Sequence, residues 1–302
     1  MKSLVTGGAG FIGSNIVEEL VKAGHEVIVL DDFSLGKEDN LSTVKDKIGV
    51  VKGDVRDFNL IKEVIKGVDF VFHQAAASSS PMFVEDLKNA FSVNIDGFIN
   101  LLNASRDNGV KKIIHASTSS IYGNNPVPLK EEMNIIPPNF YSVSKLAAEH
   151  LGTLFSNEYG LDIIGLRYMS IYGPHEESKG RFANLVSQFI WSMLKNERPV
   201  LYGDGTQTRD FTFVDDAVQA NILAMNSKIK NDIFNVGTGK TISLNELVEI
   251  INKLLGKNIK PKYIEMPVKN YIKTQLADIS KIEKVLGYAP KYSLEEGIKL
   301  LL

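Results

Sequence analysis

The segment VTGGAGFIG, residues 5–13, restricts this chain more than any other stretch, because three of its glycines form a G-x-x-G-x-x-G pattern. The pattern follows a short apolar strand directly and opens a helix. Gly7 permits the sharp turn, Gly10 lets the backbone approach a pyrophosphate, and Gly13 lets the helix pack closely on the strand. At that helix start, Phe11, Ile12 and Gly13 would turn unpaired N–H groups toward a diphosphate. A merely tight turn needs the same glycines, so the weight comes from strand, turn and helix agreeing at the first strand position. Asp31 ends the second strand, where a carboxylate accepts hydrogen bonds from the adenosine ribose and repels a 2′-phosphate. That favours NAD over NADP, the plain alternative being an acid that ends a strand.

The first half alternates short apolar runs with helical patterns. SLVTG, EVIVLDD, IGVVKGD, VDFVFHQAA, VKKIIHAS and LDIIGLRY read as strands. Helices are expected at 11–23, through DLKNAFSVNIDGFINLLNASRDNG, and at 142–159. Strands that are apolar throughout and separated by helices indicate a parallel sheet covered on both faces. Residues 1–168 therefore read as an α/β, Rossmann-type doubly wound domain, joined by returning segments from the second half. Ligands should gather at the carboxyl ends of its strands. Residues 169–302 read as a smaller α+β substrate lobe. Its expected helices are GRFANLVSQFIWSMLKN, SLNELVEIINKLLG with a Ser243 cap and Glu246 three residues on, SKIEKVLG and SLEEGIKLLL. Short strands are expected at PVLYG and DFTFV.

Composition narrows the function classes. A net charge of −2 gives no pull toward nucleic acid or an anionic membrane, and 44% hydrophobic with 23% charged residues suits a soluble globular chain. With no cysteine, disulfides, thiolate metal sites and a cysteine nucleophile are excluded. His25, His73, His115, His150 and His175 lack metal-ligand spacing and read as packing or turn residues. No stretch reaches the roughly 20 apolar residues that span a bilayer. The N-terminus runs straight into a strand, leaving no room for a signal peptide. A soluble, cytoplasmic protein is the expectation.

Two motifs carry chemistry. YSVSK puts Tyr141 and Lys145 four residues apart, on one face near the start of a helix. A cation there lowers the cost of ionising the phenol, so the tyrosinate can take a hydroxyl proton while the adjoining carbon gives up hydride. ASTSSIYG, residues 116–123, packs Ser117, Thr118, Ser119, Ser120 and Tyr122 at a strand end. Both motifs are common in ordinary helices and loops; their position after a dinucleotide turn makes them reactive candidates.

TGGAGFIG, LDD, GDVRD, FHQAA, ASTSSIYG, YSVSK, LRYMSIYGP and YGDGTQTRDF, in this order from residue 1 to about 290, resemble the extended short-chain dehydrogenase/reductase family. The nucleotide-sugar 4-epimerase branch is the most similar. The resemblance implies that Asp54 and Val55 flank the adenine and that Ala75 and Ala76 run along the cofactor. Asp32, Ser34, Gly36 and Tyr168 would complete the cofactor set, with Asn94 supporting it from the long helix and Lys145 holding the nicotinamide ribose. Thr118 would bond the reacting oxygen beside Tyr141. Arg209 would pair with the nucleotide diphosphate, Tyr202 would lie against the base, Asn184 would assist, and Ser78 and Ser79 would lie near the sugar. Relatives pair through two helices, here about 86–106 and 142–159, which implies a homodimer.

The resemblance also discriminates between reactions. Dehydratase relatives carry an Asp-Glu pair, and sugar-acid decarboxylases a Glu, where this chain has Ser119 and Ser120. Hydroxyls do not readily supply that acid–base chemistry, leaving reversible oxidation at C4 of a UDP-sugar, with hydride returned to the opposite face. UDP-glucose/UDP-galactose and their N-acetyl forms are the expected pairs, with a lean toward N-acetylated or dual specificity. Alternatives are a UDP-glucuronate 4-epimerase, another NAD-dependent dehydratase or oxidoreductase, and a non-catalytic dinucleotide sensor, which would be expected to lack Tyr141 or Lys145. Three positions depart from the family pattern. Ser170 replaces an Asn that touches phosphate. PVKNY, residues 267–271, replaces the segment with a second diphosphate arginine, with Lys269 as a substitute charge. Gln275 falls where relatives gate C2 substituents. Glu131-Glu132 reads as a solvated acid pair, and KIKND, residues 228–232, as a solvated turn.

Overall fold

Consecutive apolar residues point to opposite faces of a strand, and in this chain both faces are buried. The structure, a computed structural model, describes residues 1–266 and 271–302. The first six strands are β1 (Lys2–Thr6), β2 (Glu26–Asp31), β3 (Ile48–Lys52), β4 (Phe70–His73), β5 (Lys112–Thr118) and β6 (Asp162–Tyr168). Helices α1 (Phe11–Lys22), α2 (Phe58–Val64), α3 (Ser80–Glu85), α4 (Leu87–Asn108) and α5 (Phe140–Tyr159) lie between them. Val5, Val29, Ile114 and Ile164 pack on one side of the sheet, toward α1. Their neighbours Leu4, Leu30, Ile113 and Ile163 pack on the other, toward α2, α4 and α5.

The second half adds β7 (Ser170–Tyr172), α6 (Leu185–Leu194), β8 (Val200–Tyr202), β9 (Thr208–Arg209), β10 (Phe211–Phe213), α7 (Val214–Asn226) and β11 (Asn231–Val236). It ends with β12 (Ile242–Ser243), α8 (Leu244–Leu255), β13 (Lys262–Ile264), α9 (Ser280–Leu286) and α10 (Leu294–Lys299). The large sheet has seven strands in the order β3-β2-β1-β4-β5-β6-β11, and every neighbouring pair is parallel. This is the doubly wound sheet expected. Beside it stands the smaller lobe, built on two-stranded sheets around Tyr172, Phe189, Leu247 and Ile298. Ser243 and Glu246 form the capping box read from the sequence.

Three local readings change. KIKND is a solvated turn only in part, because Asn231 and Asp232 begin β11 and Asp232 pairs with Lys281 at 2.5 Å. The helix expected from Gly180 starts at Leu185, since Asn184 caps it and Gly180 adopts φ 51° in the preceding turns. Helix α7, missed in the sequence, covers one face of the sheet through Val214, Ala217 and Ala224. Among the described residues no helix is long and apolar enough to cross a membrane.

The strand order reverses between β1 and β4, and the loops leaving these two strands part there to open a crevice. Gly7 turns with φ +68°, and a Cβ on it would stand 2.6 Å from the Ala75 nitrogen. A Cβ on Gly13 would run into the Gly7 carbonyl, so α1 reaches the turn only without a side chain at that point. Gly13→Ala should therefore cost about 1–3 kcal/mol of stability, read by urea denaturation. Wild-type stability in that variant would mean that the turn relaxes freely.

Candidate active site

A cavity of about 580 Å³ opens at the carboxyl edge of the large sheet, between the sheet and the smaller lobe. The candidate residues named above line it, except Asn94 and Tyr202. Lys269 lies outside the described residues. Asn94 sits one layer back, where it pairs with both backbone groups of Ala77 and donates to Ser144 Oγ at 2.9 Å. It thus holds the loop after β4 in place. Tyr202 lies in β8, paired with β13, away from the cavity wall.

One end of the cavity suits a dinucleotide. Helix α1 begins after Gly10 with no side chain capping it, and Phe11, Ile12 and Gly13 line the space. Asp31 is 6% exposed and accepts from the Ala9 and Phe33 amides at 2.9 and 2.8 Å. Burial raises its pKa, and these amide bonds oppose the rise. It ties down the glycine turn while lining the cavity. Asp32 accepts from the Ser34 amide and hydroxyl, shaping the loop that carries Gly36. Asp54 is engaged by Arg56 at 2.5–3.0 Å, and this arginine, passed over in the sequence, also lines the cavity. The glycine cradle, the uncapped helix start and the buried acid fit a dinucleotide such as NAD.

Gln74 was missed as well. Asn221 Nδ2 donates to the Ala217 carbonyl and to Tyr168 Oη at 2.8 and 2.7 Å, and Tyr168 in turn reaches Gln74 Oε1 at 3.4 Å. Gln74 Nε2 is buried without a partner. The FHQAA motif contains this amide, but only the meeting of β4, β6 and α7 reveals its surroundings.

The reactive motifs meet at the end of β5. The Thr118 and Tyr141 side chains meet on the cavity wall, and Thr118 Oγ1 accepts from the Ser120 amide at 3.1 Å. Burial raises the Tyr141 pKa, and the neighbouring Thr118 hydroxyl opposes the rise in part. The depression expected from Lys145 is absent. Lys145 Nζ is instead bonded to the Ala116 carbonyl at 3.0 Å, and burial brings its own pKa down to about 8. One turn further along α5, Glu149 accepts from Ser117 Oγ at 2.5 Å and forms a two-bond pair with Arg167 at 2.8 and 2.9 Å. The Ser117 hydroxyl is thus taken up by Glu149. Arg167 also bonds Tyr122 Oη and the Glu131 carbonyl, and the Glu131 carboxylate accepts from the Asn235 amide at 2.7 Å. Glu131 is therefore half-buried and structural rather than solvated, whereas Glu132 is exposed.

The lobe closes the other end. Arg209 stacks on Tyr271 at 5.1 Å and donates to the Thr208 carbonyl; no carboxylate pairs with it among the described residues. Burial lowers its pKa. Lys179, another residue passed over, brings a second cation to the wall, 3.7 Å from the buried Glu176. Asn184 accepts the Val186 amide as the cap of α6. Ser78 and Ser79 border the cavity, and the Ser79 hydroxyl is buried without a partner. His73 and His115 pack on Phe98 in the interior, and no cluster of possible metal ligands occurs among the described residues.

The clasp around Glu149 yields two expectations. Glu149→Gln leaves Arg167 buried without its counter-charge and should cost about 3–5 kcal/mol in denaturant unfolding. Lys145 should titrate near pH 8 in the ligand-free protein, as read by NMR of isotopically labelled lysine. Between that pH and the ordinary lysine range the unfolded chain holds the extra proton, so this lysine makes stability rise with pH across the window. A Lys145 titration in the ordinary lysine range would contradict the buried geometry.

Relatives agree with this geometry. Residues 3–237 match the model of the NAD dependent epimerase/dehydratase family. A putative UDP-glucose 4-epimerase of Methanocaldococcus jannaschii is 40% identical over 98% of this chain and 95% of its own length. The structure of a UDP-glucose 4-epimerase from Thermotoga maritima with UDP-glucose superposes with a TM-score of 0.94 at 37% identity, covering 99% of this chain and 97% of that one. A UDP-N-acetylglucosamine 4-epimerase from Methanobrevibacter ruminantium, in complex with UDP-N-acetylmuramic acid, gives 0.93 at 37% identity with the same coverage. The chain belongs to the NAD dependent epimerase/dehydratase family, among its nucleotide-sugar 4-epimerases.

Proposed function

We propose that this protein is an NAD-dependent UDP-hexose 4-epimerase acting on UDP-glucose/UDP-galactose and on their N-acetylated counterparts. The observation that carries the reading is the Thr118–Tyr141 hydroxyl pair at the end of β5, with serines rather than carboxylates at 119 and 120. Gly7, Gly10, Gly13 and Asp31 would hold the dinucleotide. Arg209 and Lys179 are cations suited to a sugar-nucleotide diphosphate.

In this reading Thr118 and Tyr141 share the O4 oxygen of the hexose. Tyr141 takes the O4 proton as C4 is oxidised, and returns it when C4 is reduced on the other face. Bound NAD supplies the hydride acceptor, the returning hydride and a positive charge in the pocket. Lys145 is a second cation in the pocket below its pKa of about 8, while burial keeps the phenol protonated in the free protein, so ionisation of Tyr141 would wait on the bound cofactor. Ser119 and Ser120 offer no carboxyl to protonate a leaving hydroxyl, so the 4-keto sugar is reduced rather than dehydrated.

The test is incubation of purified protein with UDP-glucose, UDP-N-acetylglucosamine and UDP-glucuronate, without added cofactor, followed by NMR. The C4 epimers of the first two are expected. Tyr141→Phe should lower kcat by about 10²–10⁴. A 4-keto-6-deoxy product, a pentose, stoichiometric NADH or a fully active Tyr141→Phe would overturn the reading.

A further inference from the structure

Ser119, Ser170 and Gln275 lie on three separate elements, yet they meet in one hydrogen-bonded chain on the cavity wall. Gln275 Nε2 donates to Ser119 Oγ at 2.5 Å, and Ser170 Oγ donates to Gln275 Oε1 at 2.8 Å. Gln275 is 6% exposed and Ser119 4%, so these bonds form away from bulk water. Ser119 directly follows Thr118, which places the chain beside the reactive hydroxyls.

The backbone around Gln275 is held as firmly as its side chain. The Lys273 carbonyl accepts from the Thr208 amide at 2.9 Å, and the Gln275 carbonyl accepts from Thr241 Oγ1 at 3.1 Å. Next along, the Leu276 carbonyl accepts from the Leu129 amide at 2.8 Å, and the Ala277 amide donates to Asp210 Oδ2 at 3.2 Å. With a partner for each end of its amide on the wall, Gln275 is held in one orientation there. Releasing either end would leave a buried polar atom unpaired, a state relieved by turning into the lumen toward water or sugar hydroxyls.

We propose that Ser119 and Ser170 are specificity-determining residues that act through Gln275, locking its amide against the wall and keeping space open beside the hexose. The inference rests on the UDP-hexose reading for its substrates. Without the lock, Gln275 occupies the space that a bulky ring substituent needs, and the larger sugar suffers more than the smaller.

The probes are UDP-glucose and UDP-N-acetylglucosamine, which differ by one acetamido group. Ser119→Ala and Ser170→Ala should each lower the ratio of kcat/KM for the acetamido sugar over the plain hexose by about three- to tenfold. The double substitution should lower it little further, because one lost end already frees the amide. In a Gln275→Ala background neither serine substitution should move the ratio. An unchanged or increased ratio in the single variants, or an equal shift without Gln275, would overturn the lock. Calorimetric binding of the two sugars to the same variants separates this inference from the catalytic reading. A wild type that binds both sugars but epimerises neither overturns the epimerase alone, and the lock is then judged on the ratio of dissociation constants. Binding of neither sugar overturns both.

Discussion

Two neighbouring residues of β5 are gripped by two residues of α5 set one helical turn apart. Lys145 takes the Ala116 carbonyl, Glu149 takes the Ser117 hydroxyl, and Arg167 of the adjacent strand braces Glu149 from behind. The helical repeat makes this grip possible, because positions 141, 145 and 149 fall on one face. With Ala116 and Ser117 anchored, Thr118 is brought to Tyr141. The reactive pair is thus set by a buried ionic cluster that itself lies one layer behind it. Such a cluster adds little net stability when intact and costs much when broken, a balance better suited to fixing geometry than to strengthening the fold.

Much of this was legible in the sequence because the relevant residues are close in the chain. The glycine turn needs residues within one strand-to-helix junction, and the Tyr141–Lys145 pair needs one helical turn. Apolar runs marked the strands because both faces of the sheet are covered. What escaped was set by distant partners. Glu131 became structural only because Asn235, over a hundred positions away, presents its amide to it. Gln74 and Arg56 lie inside the FHQAA and GDVRD motifs without a role of their own being read there, and Lys179 carries no pattern that separates it from surface polar residues. Tyr202 was carried over by motif alone, and it lies in β8 outside the residues that line the cavity. The expected effect of Lys145 on Tyr141 was a matter of spacing, but burial acts on both groups and dominates.

The wall that carries Arg209 and Gln275 is built on a different principle. Asp210, fully buried next to Arg209, accepts from the Thr238 and Gly239 amides and from Ala277, while its own carbonyl takes the Ser170 amide. One carboxylate thus links the strand that presents the arginine to the segment that presents Gln275.

Strand β11 belongs to the second half of the chain, yet it lies along the whole length of β6. Without it β6 would be an exposed, apolar edge with unpaired amides, which invites pairing between copies. A shortened gene product ending after residue 168 would therefore be a sheet lacking its margin, prone to stack on itself. The strand that closes this edge is supplied only when most of the polypeptide has been synthesised.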